Sequence, residues 1–426
     1  MIMRILHLIQ RFWPARGGAE IHLGQISAYL AQAGHEVTVG TTDALDFEVF
    51  WEPQRRRVRE GVSLHEGVRI RRFPVRHLPF PGLAYPAIRR LLWIFSRVKP
   101  FPLPLLHRLA RFTPWVPDLW RWLEQIDEPF DLVAGMTICF EPLIEAGLRF
   151  AQQRGIPFVI YPLTHLGAGP APAQDALSRF YTMRHQLDLV RASSAVVAQT
   201  AAEKDFLVSQ GVKNERIAVV GAGVDPPEVL GGNGPRFREQ HGIRGPMVVS
   251  ISSMSYDKGT VHTVEAVRHL WESGQQVELV LIGSVLEPFR HFINGLPAAD
   301  QERIHLLGFV EEPEKRDALA ATDMFVMPSR TDSFGIAYLE AWLYQKPVIG
   351  ARTWGVMDVI TEGQDGLLVP FGDVSALSEA ITYLLDHPDQ AAVMGIRGQK
   401  KVMQEHTWAH KLSQIADLYA QLTNRR

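Results

Sequence analysis

Cysteine is almost missing from this chain: Cys139 is the only one in 426 residues. No intramolecular disulfide can form, and neither a cysteine-built zinc site nor an iron–sulfur cluster is available, so a reducing, cytoplasmic compartment is the expected home. Long apolar runs are missing as well. The richest stretches are cut by Arg, Glu, Pro or Gly before reaching the ~18 residues of a spanning helix. Met1 to Ile9 lacks the apolar length and cleavage site of a signal peptide and reads as a first strand. Net charge is close to nil, with 44 Lys plus Arg against 46 Asp plus Glu, which gives no global reason to expect a nucleic-acid partner. No histidine cluster has metal-ligand spacing, and no Ser-His-Asp order stands out. Neither the loop at Gly17-Gly18 nor that at Gly221-Ala222-Gly223 completes G-x-G-x-x-G, which excludes a dinucleotide-binding dehydrogenase.

Apolar residues, at 46% against 21% charged, suffice for a large core, and the length suits two or three units at roughly 150 residues each. Arg4 to Ile9, the loop Pro14 to Gly18, the amphipathic stretch Ala19 to Ala33 and the run Glu36 to Gly40 make a βαβ unit. Further strands are expected at Leu132–Ala134, Pro157–Tyr161, Ala195–Ala198 and Ile217–Val220. Turn chemistry without periodicity fills Pro226 to Pro235, where a linker is expected. Alternation then resumes with strands at Met247–Ile251, Val277–Ile282, Ile304–Leu307, Met324–Met327, Pro347–Ile349 and Gly366–Val369. The reading is α/β: a doubly wound domain over 1–230, a second over 236–405, and a helical segment over 406–426 that would pack back on the first.

Two stretches carry chemistry. Gly17-Gly18, between strand and helix, lets backbone N–H groups approach an anion, although a tight turn needs the same residues. Pro328 to Ala341 follows a strand; Asp332 or Ser333 can cap a helix whose first turn, Phe334-Gly335-Ile336, would present free N–H groups. Asp332 and Glu340 lie eight residues apart, or ~12 Å along an axis if both are helical.

Taken with Gly34-His35-Glu36-Val37, Val219 to Asp225, Lys258-Gly259, Leu281-Ile282-Gly283-Ser284, Gly355 to Ile360 and Asp365 to Pro370, these stretches resemble the retaining glycosyltransferases of family 4, over nearly the whole chain. The resemblance implies the GT-B fold, two Rossmann-like domains facing a cleft. It also implies transfer of a sugar from a nucleotide-diphosphate donor with retained configuration and without metal or cofactor. Lys258 would meet the donor diphosphate, Glu340 the ribose, and Asp332 and His165 the transferred sugar. Gly17, Gly18, Ser253, Ser333, Phe334, Gly335 and Ile336 would complete the donor site. The acceptor would be a glycolipid or a polysaccharide precursor. Three positions depart from the family pattern. Ser253 stands where an arginine is usual, Asp332 replaces a glutamate, and Trp354-Gly355 replaces two glycines, placing a bulky ring beside the donor. A relative that binds nucleotide-sugar without transfer, or a nucleotide-sugar epimerase, shares the fold and stays open.

One segment has no counterpart in that pattern. Arg69 to Trp122 holds 11 Lys or Arg, one acid (Asp118), ten aromatics and nine prolines in 54 positions. Read as an insertion, it suits contact with an anionic membrane surface, with Arg89, Arg90, Arg97 and Lys99 towards the headgroups. The alternative is an insertion packed on its own domain.

Overall fold

A computed structural model describes residues 2–424; Met1 of the expected first domain and Arg425-Arg426 of the expected terminal helix lie outside the described residues. The chain divides into two compact units. The first is Met1–Thr164, Ala173–Gly221 and Lys411–Arg426, and the second is His165–Pro172 and Ala222–His410.

In the first unit the strands are β1 (Arg4–Leu8), β2 (Glu36–Thr42), β3 (Val62–His65), β4 (Val68–Phe73), β5 (Leu132–Met136), β6 (Phe158–Tyr161), β7 (Ala195–Ala198) and β8 (Ile217–Val219). They form one sheet in the order β3-β4-β2-β1-β5-β6-β7-β8, parallel throughout except for β3 against β4. The central strands are buried on both faces, as continuous apolar runs such as Leu132 to Met136 require. The helix Trp408–Asn424 contributes Tyr419, fully buried, whose hydroxyl lies 3.0 Å from that of Tyr161 and 3.2 Å from Nε2 of His7.

The second unit holds β9 (Met247–Ile251), β10 (Glu278–Ile282), β11 (Ile304–Gly308), β12 (Met324–Met327), β13 (Val348–Ala351) and β14 (Gly366–Val369), ordered β11-β10-β9-β12-β13-β14 and parallel throughout. In each sheet the order turns back once, between β1 and β5 in the first and between β9 and β12 in the second. Loops leaving the carboxyl ends of such strand pairs are where doubly wound sheets bind ligands.

Two expectations need correction. The stretch 226–235 is not a free linker, and the division falls earlier, after Gly221. Val224 N–H donates to His406 O at 2.9 Å and Trp408 N–H to Val224 O at 3.0 Å. Gly232 N–H donates to the Tyr344 hydroxyl at 2.9 Å, and Asn233 N–H to Asp317 at 2.6 Å. Pro and Gly here shape a packed strap with a short helix, Pro226–Val229. Second, Arg69 is not the start of an insertion. It lies inside β4, paired with Thr38 of β2, where Val68, Ile70 and Phe73 are buried while Arg69 and Arg71 face out.

Candidate functional site

Lys258 and Asp332 sit on the loops that leave β9 and β12, the two strands at which the second sheet changes direction. Topology therefore brings together residues 74 positions apart: Lys258 Nζ donates to Asp332 Oδ1 at 2.8 Å. Gly259, at φ 76°, turns the chain behind the lysine into the helix Thr260–Glu272, and a β-carbon there would lie 2.3 Å from Pro328 O. Burial raises the Asp332 carboxyl, but the Lys258 ammonium and the Ser329 hydroxyl outweigh it and hold the group below the ordinary carboxylate value. The other oxygen, Oδ2, is buried without a hydrogen-bond partner among the described residues.

The expected helix cap is corrected. The helix runs Ile336–Leu343 with Gly335 as its N-cap at φ 93° and no side-chain cap. Asp332 turns to Lys258 instead, because an ammonium within hydrogen-bond reach is a stronger partner for a buried carboxylate than a peptide N–H. Asp332 is thus outside the helix, and the axial spacing expected between it and Glu340 does not apply. The Phe334 ring is buried, 5.5 Å from that of His406, while the first helical turn, from Ile336, has no carbonyl of its own helix to pair with. Glu340 does not join the Lys258–Asp332 pair; its Oε1 accepts from Lys315 Nζ at 2.8 Å. Ser253 is exposed on the loop after β9. Gly17 and Gly18 belong to the first unit, at the start of the helix Gly18–Gln32 that follows β1.

His165, half-buried, is pushed down to about 4 by burial and then by Lys258, with Asp332 pulling the other way. It is neutral at pH 7. Lys258→Ala should therefore raise its titration midpoint above about 4, measured by NMR with a His165→Gln sample to assign the signal. A midpoint that stays put would separate His165 electrostatically from the lysine.

Trp354 also has a bracing role. Its N–H donates to Gly167 O at 3.2 Å and its indole Nε1–H to Gly169 O at 3.1 Å, so the side chain braces the turn that follows His165. Its neighbour Gly355 packs so closely that a β-carbon would lie 2.7 Å from Asp332 O and 2.8 Å from Ser333 O. Residues 165–169, 258, 332–333 and 354–355 form one connected cluster.

Other participants escaped the sequence reading. Arg330 pairs with Asp257 at 2.7 Å, beside Lys258. In the first unit the buried Glu203 carboxylate accepts the N–H groups of Thr164 and Gln199, each at 2.7 Å, fixing the chain just before His165. Thr200-x-x-Glu203 is a legible capping-box pattern, and Thr200 does accept from Glu203 N–H at 3.2 Å. Nothing in the spacing marks Lys315. Among the described residues no group of three or more His, Cys, Asp or Glu is arranged to hold a metal ion.

Similarity to known proteins extends over both units. The family model described as glycosyl transferases group 1 matches residues 234–401, and that of the glycosyl transferase 4-like domain matches residues 17–223. An alpha-maltose-1-phosphate synthase of Mycolicibacterium smegmatis is 26% identical over 55% of this chain and 65% of its own length. A GDP-mannose-dependent alpha-(1-6)-phosphatidylinositol monomannoside mannosyltransferase of the same species is 29% identical over 45% of this chain and 51% of its own. The chain thus spans about half to two-thirds of the length of these relatives. The Anabaena protein HepE, solved with UDP and glucose, superposes with a TM-score of 0.69 at 20% identity, over 98% of this chain and 99% of its own; this shows the shared fold.

Proposed function

The chain belongs to the group 1 glycosyltransferases, and from that premise we propose that it moves a sugar, with retained configuration and without metal, from a nucleotide-diphosphate-sugar to a glycolipid or polysaccharide precursor at a cytoplasmic, anionic membrane surface. The observation that carries the reading is the Lys258–Asp332 contact at the ends of β9 and β12. A lysine there is a point charge for a diphosphate, and the helix start at Ile336 offers backbone N–H groups to the same anion. Relatives named for GDP-mannose, and a solved neighbour holding UDP, support a nucleoside-diphosphate donor.

In the reaction, the bond from the sugar's anomeric carbon to the phosphate oxygen breaks while the acceptor oxygen bonds to that carbon on the same face. The acceptor's proton passes to the departing phosphate oxygen. Lys258 and the helix-terminal N–H groups stabilise the negative charge that builds on the leaving diphosphate. His165, being neutral, can hydrogen-bond a sugar hydroxyl without adding charge. The protein supplies position and field rather than a nucleophile.

The test is incubation with UDP- and GDP-linked sugars, following slow donor hydrolysis and, by NMR, the configuration of any transferred sugar, with and without a chelator. Turnover with retained configuration, unaffected by chelator, is expected. Nucleotide-sugar binding without any turnover would favour the non-transferring relative, and inversion or chelator sensitivity would overturn those parts of the mechanism.

A further inference from the structure

Within the stretch that was read as one basic insertion, the structure separates inward from outward charges. Helices Pro81–Arg97 and Leu103–Ala110 form a hairpin whose inner side packs Leu92, Leu106 and Ala110 with Met183. Arg89 points inward, donating to both oxygens of fully buried Glu141 at 2.9 and 2.7 Å. This corrects its grouping with the headgroup-facing cations. Arg111 pairs with Glu145 at 2.9 Å, and His107 lies 3.1 Å from Asp188. Arg184 closes the hairpin's turn by donating to the carbonyls of Phe95, Ser96, Val98, Lys99 and Phe101 at 2.7–3.3 Å.

The outer side is different. Leu83, Ala87, Arg90, Ile94 and Arg97 recur at helical spacing and are all exposed, with Leu91 and Val98 beside them. Phe80 is 80% and Leu83 75% exposed. Arg90, Arg97, Lys99 and Arg108 are exposed too, and none of them forms an ion pair among the described residues. Residues 67–117 contain no Asp or Glu. Arg90 and Arg97 lie 5.4 and 4.8 Å from the Trp93 ring, so the cations and an aromatic share one surface. A free protein surface normally mixes charges of both signs; this one alternates cations with large apolar side chains and omits acids.

We infer that this outer face is the element that lies on an anionic bilayer, with Arg90, Arg97, Lys99 and Arg108 at the headgroups and Phe80, Leu83, Leu91, Ile94 and Val98 at the acyl boundary. It rests on the membrane-surface part of the proposed function and deepens it by naming the face of the protein that makes the contact. The contact is peripheral: among the described residues no helix is long and apolar enough to cross a membrane.

The test is sedimentation with phosphatidylcholine vesicles, with and without phosphatidylglycerol and free of any glycolipid, so that acceptor recognition cannot contribute. The full chain should sediment with the acidic vesicles at low salt, scarcely with the neutral ones, and be released as the Debye length shrinks from ~10 Å at 0.1 M to ~3 Å at 1 M salt. The variant R90Q/R97Q/K99Q/R108Q should partition roughly a hundredfold less or weaker still, with thermal stability and nucleoside-diphosphate affinity unchanged. L83S/I94S should weaken binding to acidic vesicles as well. A wild type left in the supernatant with acidic vesicles at low salt overturns the inference, as does equal binding to neutral vesicles. So does a dimer in vesicle-free solution that the quadruple variant abolishes, which would assign the face to a second copy. Vesicle binding without nucleotide-sugar turnover would leave this surface standing and reject the enzyme reading alone.

Discussion

Lys258→Ala should weaken nucleoside-diphosphate binding by about 1.5 to 3 kcal/mol, roughly ten- to 150-fold, because on the proposed reading this lysine supplies the ammonium that meets the diphosphate. It should also destabilise the unliganded protein by about 2 to 4 kcal/mol, since the removed ammonium leaves the Asp332 carboxylate largely buried and unpaired. A second substitution separates the two effects. Adding Asp332→Asn should restore most of the stability and none of the affinity. Acid behaviour follows from the sign of the Asp332 shift. A carboxyl held lower in the fold contributes stability above its unfolded value of ~3.9 and loses it as pH falls through the folded value. Asp332→Asn should therefore lack that part of the acid limb. Calorimetric titration and urea unfolding measure all four quantities, and unchanged affinity in Lys258→Ala would remove this lysine from the donor site.

Glu141→Ala should be among the most damaging single changes in the first unit, at about 3 to 5 kcal/mol. The carboxylate is fully buried and takes two hydrogen bonds from Arg89, one from Gln186 at 2.6 Å and one from His185 at 3.2 Å. Burial raises this carboxyl, but the Arg89 charge and the His185 hydrogen bond together outweigh it and hold the group below the ordinary carboxylate value. Removing the acid strands Arg89 under the hairpin, so limited proteolysis should open at Val98 to Phe101 before the sheet unfolds. Replacing Arg89 and Glu141 together with apolar residues of similar volume should be far milder than either single change, because no charge is then left buried alone. A single variant that melts like the wild type would show that the hairpin is held by its apolar contacts alone.

Most of the parallel sheet was legible because each buried strand is a short apolar run between turn residues, as at Leu132–Met136 and Met324–Met327. The antiparallel edge was not. In Val68 to Phe73, Arg69 and Arg71 occupy the outward positions, so composition announced a basic segment while the period-two alternation that marks a half-buried strand went unread. Pro226 to Pro235 has linker composition, but hydrogen bonds to Tyr344 and Asp317, more than 80 residues away in sequence, fix it. At the candidate site, the resemblance pointed to Lys258 and the strand-to-helix stretch to Asp332, but neither revealed that the two touch, since the juxtaposition comes from sheet order rather than from sequence separation. Trp354 illustrates the remaining limit. A ring replacing glycine reads as an obstruction, and the bracing role it takes through the Gly167 and Gly169 carbonyls has no signal in the sequence.

The Arg184 clamp has a consequence for how a surface-bound molecule lets go. Its guanidinium is fixed by five peptide carbonyls rather than by a carboxylate, so its positive charge is not cancelled and adds to the field of the outer face. Contacts between an ion and adjoining dipoles at hydrogen-bond distance are also little affected by dissolved salt, whereas the pull between exposed arginines and a distant lipid sheet decays with ionic strength. Salt concentrations that strip the protein from acidic vesicles should therefore leave the hairpin intact. Detachment and unfolding become separate events, and the same molecule can leave one patch of lipid and settle on another without rebuilding the surface it uses.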